Sequence, residues 1–134
     1  MVVARRPVLV RHNRTTVCQF SWWYCREVQA MFSIGQLLKL KPGCEAEYNK
    51  RHDELWPEMV EAMHKAGVNM VIYRHENSLF LFATATDQAA WDALDRDPVT
   101  PQWDKFMSDI LASDEQGRPI VENLPRMFAF GEFA

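Results

Sequence analysis

The chain has 134 residues, 48% of them hydrophobic, which is enough for one modest core and sets one domain as the starting expectation. Its three cysteines are widely spaced, with no Cys-x-x-Cys pair and no accompanying histidine cluster, so the sequence predicts neither a disulfide framework nor a metal site. No apolar run approaches the roughly 20 residues that a membrane-spanning helix needs. These features favour a small domain of the reducing cytoplasm, without a membrane partner.

Charge is distributed unevenly along the chain. Residues 1–30 carry five arginines and a single acid, whereas residues 31–134 carry 10 basic and 17 acidic residues by subtraction from the totals of 15 and 18. An acidic body repels phosphates, and nucleic-acid binding depends on neutralising them. Nucleic acid is therefore excluded as the expected partner.

The first thirty residues stand apart from the rest. Arg-rich, acid-poor sequence is compatible with an organellar presequence, but the apolar run 7–10 is too short for a secretory signal. Met31 directly precedes the first well-patterned strand. We therefore interpret residues 1–30 as an N-terminal extension that is dispensable or disordered, or that is translated from an early start codon, and residues 31–134 as the α+β domain.

The domain begins with a strand and a helix. Apolar and polar residues alternate over residues 32–40, with the period of a half-buried strand, and Lys41-Pro42-Gly43 ends it. Over residues 45–66 the apolar positions recur at spacings of three, four and seven, as on one face of a helix. Gly67 suits the end of this helix, and Pro57 within it predicts a kink or a fresh helix start.

A hairpin, two shorter helices and a last strand complete the pattern. Two β-rich runs, 70–73 and 79–85, flank the polar stretch Glu76-Asn77-Ser78 and predict an antiparallel hairpin. Asp87 predicts the N-cap of a helix that runs to residue 95, and Asp97-Pro98 interrupts it before a second helix that reaches residue 111. Residues 125–133 are predicted to form the last strand.

The resulting order, β-α-β-β-α-β, is that of the ferredoxin-like α+β fold, with its second helical region broken in two. A four-stranded sheet with helices on one face leaves its other face bare. We therefore expect a two-fold dimer in which two such sheets cover each other, or a lid of long loops.

One group of side chains suggests a catalytic site. Tyr48, His52 and Trp56 lie four residues apart and are predicted to share one side of the first helix, beside the irregularity at Pro57. Histidine suits proton transfer near neutral pH because its reference pKa is about 6.5. On spacing alone, a structural histidine is the more frequent explanation. Trp103 is compatible both with a sugar-stacking platform and with an ordinary core aromatic.

The same region carries a family resemblance. The string YNKRHDELWPEM over residues 48–59 closely resembles the Y-x-x-R-H-x-x-x-W-P-E segment of L-rhamnose mutarotases. The resemblance continues through Gly67, strand residues 72–73 and 79–83, and the spacing W-x-A-x(9)-W-x-K-[YF]-M from Trp91 to Met107. It covers residues 31 to about 133, and members of the family generally begin near Met31.

This resemblance implies an isomerase of carbohydrate metabolism that interconverts the α and β anomers of a free 6-deoxy hexose such as L-rhamnose. It also implies a homodimeric α+β barrel without metal or organic cofactor, in which each subunit binds the monosaccharide in its own pocket. His52 matches the acid/base histidine of the family, and Tyr48 matches its sugar-binding tyrosine.

Two positions depart from the family pattern. Met70 stands where the family usually has a substrate-contacting tyrosine, and Trp103-Asp104 stands where it has a Trp-Trp pair. A hydroxyl donor and a stacking face are thus replaced by a thioether and a carboxylate. We expect Met70, Trp103 and Asp104 to contact the sugar, and the preferred sugar to be L-rhamnose, another 6-deoxy hexose or a related aldose.

Two alternative functions stay open at this point. Ferredoxin-like dimeric barrels also host cofactor-free monooxygenases and haem-degrading enzymes, so the fold alone does not choose between them. A sugar-binding protein without catalysis is also compatible with the changes at Met70 and Asp104. The GxSxG, HExxH and phosphate-loop motifs are absent, which removes the common hydrolase, metalloprotease and nucleotide-binding signatures.

Overall fold

A computed structural model describes residues 31–134 of the chain, and the predicted extension 1–30 lies outside the described residues. The order β-α-β-β-α-β is confirmed, with both helical regions divided in two. In chain order the elements are β1 (Ser33–Lys39), α1 (Glu45–Asp53), α2 (Pro57–Lys65), β2 (Asn69–His75), β3 (Ser78–Thr84), α3 (Gln88–Asp95), α4 (Val99–Met107), β4 (Glu122–Asn123) and a 3-10 turn (Gly131–Phe133).

The four strands form one antiparallel sheet in the order β2-β3-β1-β4. β1 pairs with β3 along its whole length, from Ser33 opposite Thr84 to Lys39 opposite Ser78, and with two residues of β4 at its other edge. The helices pack on the face that carries Leu38 and Leu79. This arrangement confirms the predicted ferredoxin-like α+β fold.

The predicted irregularity at Pro57 is a complete helix break. α1 ends at Asp53, and Pro57 is the first residue of α2. Trp56 before it is extended, with φ −59° and ψ 135°, because a residue that precedes proline is pushed out of the helical region. Gly67 follows α2 with φ +64°, and a Cβ there would lie 2.3 Å from the Thr86 hydroxyl, so both backbone conformation and space favour glycine.

The predicted hairpin and helix cap are confirmed. A two-residue turn, Glu76-Asn77, joins β2 to β3, with Glu76 at φ 53°. The Asp87 carboxylate accepts a hydrogen bond of 2.7 Å from the Ala90 backbone N–H, and α3 ends at Asp95 as predicted.

The second helix of this region ends at Met107 rather than at residue 111, and here the prediction was wrong. The chain leaves the helix because it pairs with the end of β1. The Lys41 N–H donates to the Ile110 carbonyl and the Ala112 N–H donates to the Lys39 carbonyl, each at 2.8 Å. These long-range bonds take the place of the helical bonds that the Ile110 carbonyl and the Ala112 N–H would make in a longer helix, and Leu111 between them is buried.

The predicted last strand over residues 125–133 is also wrong, because β4 is confined to Glu122–Asn123. The Leu124 N–H donates to the Gly35 carbonyl at 2.8 Å, and Pro125, the next residue, has no N–H to continue the ladder. The Arg126 guanidinium instead donates to the Ser33 hydroxyl and to the Phe133 carbonyl, and so holds the C-terminal segment beside β1.

The sheet face opposite the helices is apolar and exposed. Across β1, β2 and β3 its two central rows contain only glycine, apolar and aromatic residues, with Tyr73 66% exposed, and Glu122 of β4 adds a carboxylate opposite Leu37. Phe133 packs edge-on against Phe82 at 5.7 Å and covers one edge of this face. We call this surface the open sheet face; its members are Gly35, Leu37, Val71, Tyr73, Phe80 and Phe82.

Candidate active site

A cavity of about 370 Å³ lies between the helices and the sheet. Its volume falls in the range of small-molecule pockets, roughly 300–1,000 Å³. The structure brings all five residues predicted as site residues onto its wall: Tyr48, His52, Met70, Trp103 and Asp104. They come from α1, β2 and α4, so the fold brings residues that are distant in the sequence together in one pocket.

The imidazole of His52 has a defined orientation. Its Nδ1 lies 2.9 Å from the Tyr48 backbone carbonyl, one helical turn earlier on α1. A carbonyl only accepts hydrogen bonds, so Nδ1–H is the donor. In the neutral ring the lone pair is therefore on Nε2, the nitrogen that is left for a ligand of the cavity.

Tyr48 is the best-buried residue of α1 and packs beside the imidazole, with 4.2 Å between ring centroids. Burial raises the pKa of Tyr48 to about 12. Its hydroxyl is therefore a protonated hydrogen-bond donor throughout the neutral pH range. Among the described residues no protein group bonds this hydroxyl, which leaves it available to a ligand.

Trp103 on α4 forms the wall next to the histidine. Its ring meets the His52 ring edge-on at 5.6 Å, and Trp56 meets Trp103 edge-on at 5.2 Å. Trp56 itself does not line the cavity. It was grouped with Tyr48 and His52 by helical spacing, but α1 ends at Asp53, so this spacing no longer places it on the same wall. Trp103 also packs against both hydrophobic clusters of the core.

Arg51, the neighbour of His52, ties α1 to the end of α4. Its guanidinium donates to both carboxylate oxygens of Asp109, at 2.7 and 3.0 Å, and to Glu47 at 2.8 Å. It also donates to the Phe106 carbonyl and lies 4.3 Å from the centroid of the Phe106 ring. The side chain is only 11% exposed. We call these contacts the Arg51 clamp.

Asp104 brings a carboxylate into the cavity, and Asp95 on α3 brings a second one that sequence reasoning missed. Desolvation raises the pKa of Asp104, and the charge of Asp95 raises it further. Neither carboxylate has an ion-pair partner among residues 31–134. The α3–α4 wall is therefore an acceptor-rich part of an otherwise largely apolar pocket.

Two further polar residues, Gln36 on β1 and Asn123 on β4, also line the cavity and were not predicted as site residues. The sequence of β1 contained a signal for Gln36, because this polar residue occupies a position on the otherwise apolar face of the strand. No such signal marked Asn123. The rest of the wall is mainly apolar and includes Leu38, Met59, Met63, Met70, Ile72, Leu81, Trp91 and Met107.

The described part of the chain shows no group of three or more histidine, cysteine or acidic residues placed to hold a metal ion. Within residues 31–134, no helix is long and apolar enough to cross a membrane.

Comparisons with known proteins converge on one family. A family model described as L-rhamnose mutarotase matches residues 33–130. The L-rhamnose mutarotase of Rhizobium etli is 37% identical over 94 residues, which cover 68% of this chain and 89% of that protein. That of Listeria monocytogenes is 35% identical over 101 residues, covering 73% and 97%. The crystal structure of an L-rhamnose mutarotase from Formosa agariphila superposes with a TM-score of 0.65 at 27% identity, over 75% of this chain and 99% of that one. The chain therefore belongs to the L-rhamnose mutarotase family of isomerases.

Proposed function

We propose that this protein interconverts the α and β anomers of a free 6-deoxy hexose such as L-rhamnose, with His52 as the general acid and base. The observation that supports this role most directly is the bond from Nδ1–H to the Tyr48 carbonyl. It fixes the tautomer, so that Nε2 is the nitrogen free to take a proton from a ligand. The membership of the chain in a mutarotase family supports the reaction.

The chemistry requires two proton movements. In ring opening, the anomeric hydroxyl loses its proton, the C1–ring oxygen bond breaks as the C1 carbonyl forms, and the ring oxygen gains a proton. Rotation about C1–C2 and closure in reverse give the other anomer. His52 would take the first proton at Nε2 and return one to the ring oxygen, directly or through water. Atoms and electrons balance without a co-reactant.

The neighbouring residues have matching roles in this proposal. The Tyr48 hydroxyl, protonated at neutral pH, donates to a sugar oxygen and positions the anomeric centre. The Trp103 ring offers an apolar surface to the sugar face. Met70 and Asp104, the two departures from the family pattern, adjust the shape and hydrogen bonding of the pocket and thereby the preferred sugar.

We further propose that the protein acts as a homodimer through the open sheet face. Phe80, Phe82 and Val71 are each about 40% exposed there, and a second copy of the same apolar patch would cover them under two-fold symmetry. The cavity lies on the other side of the sheet, so each subunit would keep its own pocket.

Saturation-transfer NMR of anomer exchange tests the catalytic proposal. The wild-type protein is expected to accelerate exchange of L-rhamnose or another aldose of a panel. His52→Ala should lower the rate roughly 10²–10⁴-fold while sugar binding, measured by titration, largely survives. His64→Ala, an exposed histidine near the end of α2, is the matched control and should keep the wild-type rate.

Three results would contradict the proposal. Wild-type exchange by folded His52→Ala would show that the histidine is structural. Sugar binding by the wild-type protein without accelerated exchange would identify a binding protein instead of an enzyme. Oxygen uptake, or haem absorbance after addition of haem, would favour the oxygenase or haem-degrading alternatives.

A further inference from the structure

The sheet floor of the cavity is apolar except at one cross-strand pair. Gln36 lies on the helix-facing side of β1 between the apolar residues Ile34 and Leu38. Asn123 lies directly opposite it on β4 in the antiparallel register. Both residues line the cavity, and the Gln36 amide N–H donates to the Asn123 side-chain oxygen at 2.9 Å.

This bond leaves part of each amide unused. It takes one hydrogen of Gln36 Nε2 and one lone pair of Asn123 Oδ1, so Gln36 Oε1 remains as an acceptor and Asn123 Nδ2 remains as a donor. If both side-chain amides were flipped, so that oxygen and nitrogen exchanged places, the pair would still present one free donor and one free acceptor side by side. The described residues supply no other hydrogen-bond partner for these atoms.

A neighbouring donor and acceptor match two hydroxyl groups on adjacent ring carbons, because one hydroxyl can accept from Asn123 while the other donates to Gln36. An apolar floor cannot tell a hydroxyl from a hydrogen, whereas a site built to bond a hydroxyl rejects the analogue that lacks it. The position also fits the proposed chemistry, since Gln36 and Asn123 line the same cavity as His52.

We infer that Gln36 and Asn123 form a diol-binding subsite that holds two adjacent hydroxyl groups of the sugar and thereby contributes to substrate specificity. This inference rests on the proposed sugar-binding function of the cavity and adds a recognition element on the sheet. It also gives β4 a role in the site, since this two-residue strand brings Asn123 to the floor.

A purely structural role is the competing explanation, because the amide bond also ties β4 to β1. The two explanations differ in how a substitution affects different sugars. A structural tie would weaken the binding of every sugar by a similar factor. A diol-binding pair would matter only for sugars that carry both hydroxyls.

The test compares L-rhamnose with its 2-, 3- and 4-deoxy analogues, with binding measured by calorimetric or NMR titration. Wild-type protein should bind at least one deoxy analogue about tenfold more weakly than L-rhamnose, the loss expected for unpaired polar groups. Gln36→Met and Asn123→Leu should each reduce this ratio to within about threefold. Gln88→Met is the matched control, because the Gln88 amide donates to Asp92 at 2.8 Å outside the cavity, and it should keep the wild-type ratio.

Equal weakening for all four sugars in Gln36→Met and Asn123→Leu would overturn the inference in favour of the structural tie. An unchanged ratio in both variants would overturn it as well. Because the readout is binding, it is independent of catalysis. A wild-type protein that discriminates among these sugars but does not accelerate exchange would contradict the proposed enzyme and leave the subsite in place.

Discussion

The side chains of Tyr48 and His52 depend on each other for their surroundings. They lie one turn apart on α1, so the backbone carbonyl of Tyr48 accepts from the His52 ring while the two rings pack at 4.2 Å. The phenol is buried and protonated, and the imidazole carries its free nitrogen on the other edge. In the proposed reaction the two residues therefore have different functions: Tyr48 is a fixed hydrogen-bond donor and His52 carries the proton.

Tyr48→Phe removes only the donor and is expected to have a smaller effect than His52→Ala. We expect an affinity loss of up to about tenfold, as for one hydrogen bond, together with a moderate fall in the exchange rate. Sugar titration and NMR exchange measure the two effects separately. A variant with wild-type affinity and rate would show that the hydroxyl does not contact the sugar.

Asp104 gives a prediction for stability against pH. Its folded-state pKa is raised, above all by desolvation, so the folded protein binds this proton more tightly than the unfolded chain, whose Asp pKa is about 3.9. Stability therefore falls as the pH rises through the window above that value. Asp104→Asn should raise the melting temperature at pH 7, and the gain should shrink towards pH 4.

Thermal unfolding at the two pH values checks this expectation. Asp53→Asn, which removes an exposed carboxylate outside the cavity, is the control and should show no comparable gain. The same gain for Asp104→Asn at both pH values would mean that the removed charge is not its cause.

At the scale of the elements, α1 is a short helix that carries the two central residues of the site. Its nine residues are too few for a stable isolated helix, its N-cap Cys44 makes no side-chain cap, and Tyr48 is its buried residue. The Arg51 clamp joins it to Asp109 and Phe106, and Phe106 in turn contacts Trp103 at 5.6 Å. The clamp thus links the helix that carries His52 to the wall that His52 faces.

We therefore expect Arg51→Met to lower the exchange rate about 10- to 100-fold through displacement of His52, since small errors in position are costly. The decisive measurement repeats the substitution in His52→Ala protein, where it should have little further effect on the rate. Arg74→Met is the matched control, since Arg74 bonds Glu45 on the same helix but is 48% exposed, and it should stay within about twofold. Equal losses in both histidine backgrounds would show that Arg51 acts only through stability.

At the scale of the whole molecule, we expect the open sheet face to form the interface of the proposed homodimer. A charge placed in an interface between two sheets would be desolvated without a partner, so Tyr73→Glu should convert the proposed dimer to a 15.7 kDa monomer. Light scattering after size exclusion measures the mass. Lys65→Glu, an exposed change at the end of α2, should leave the dimer intact. A monomeric wild-type protein would refute the proposed interface.

The N-terminal extension gives the other prediction at this scale. The sheet begins at Ser33 and the family match also begins at residue 33, so deletion of residues 1–30 should leave folding and anomer exchange unchanged. Melting temperature, mass and exchange rate of the truncated protein check this. A loss of several degrees or of dimerisation would assign the extension a structural role.

The sequence by itself determined the features that depend on residues close together in the chain. Alternation and helical spacing depend on neighbouring residues, so they identified the elements and brought Tyr48 and His52 together on one helix. Pro57, Gly67 and Asp87 marked boundaries, because each imposes or satisfies a backbone conformation at its own position. Together with the family segment around His52, these local signals were enough for the fold class and the family.

Tertiary structure decided what depends on partners far along the chain. The early end of α4 follows from the pairing of Ile110 and Ala112 with the end of β1, which no local pattern encodes, whereas Pro125 is a local signal for the end of β4. Gln36 and Asn123 are 87 residues apart, and Arg51 and Asp109 are 58 apart, so only the closed sheet and the packed helices make them neighbours. Only in the folded chain do Asp95 and Asp104, on two different helices, line one cavity wall, where desolvation raises the pKa of Asp104.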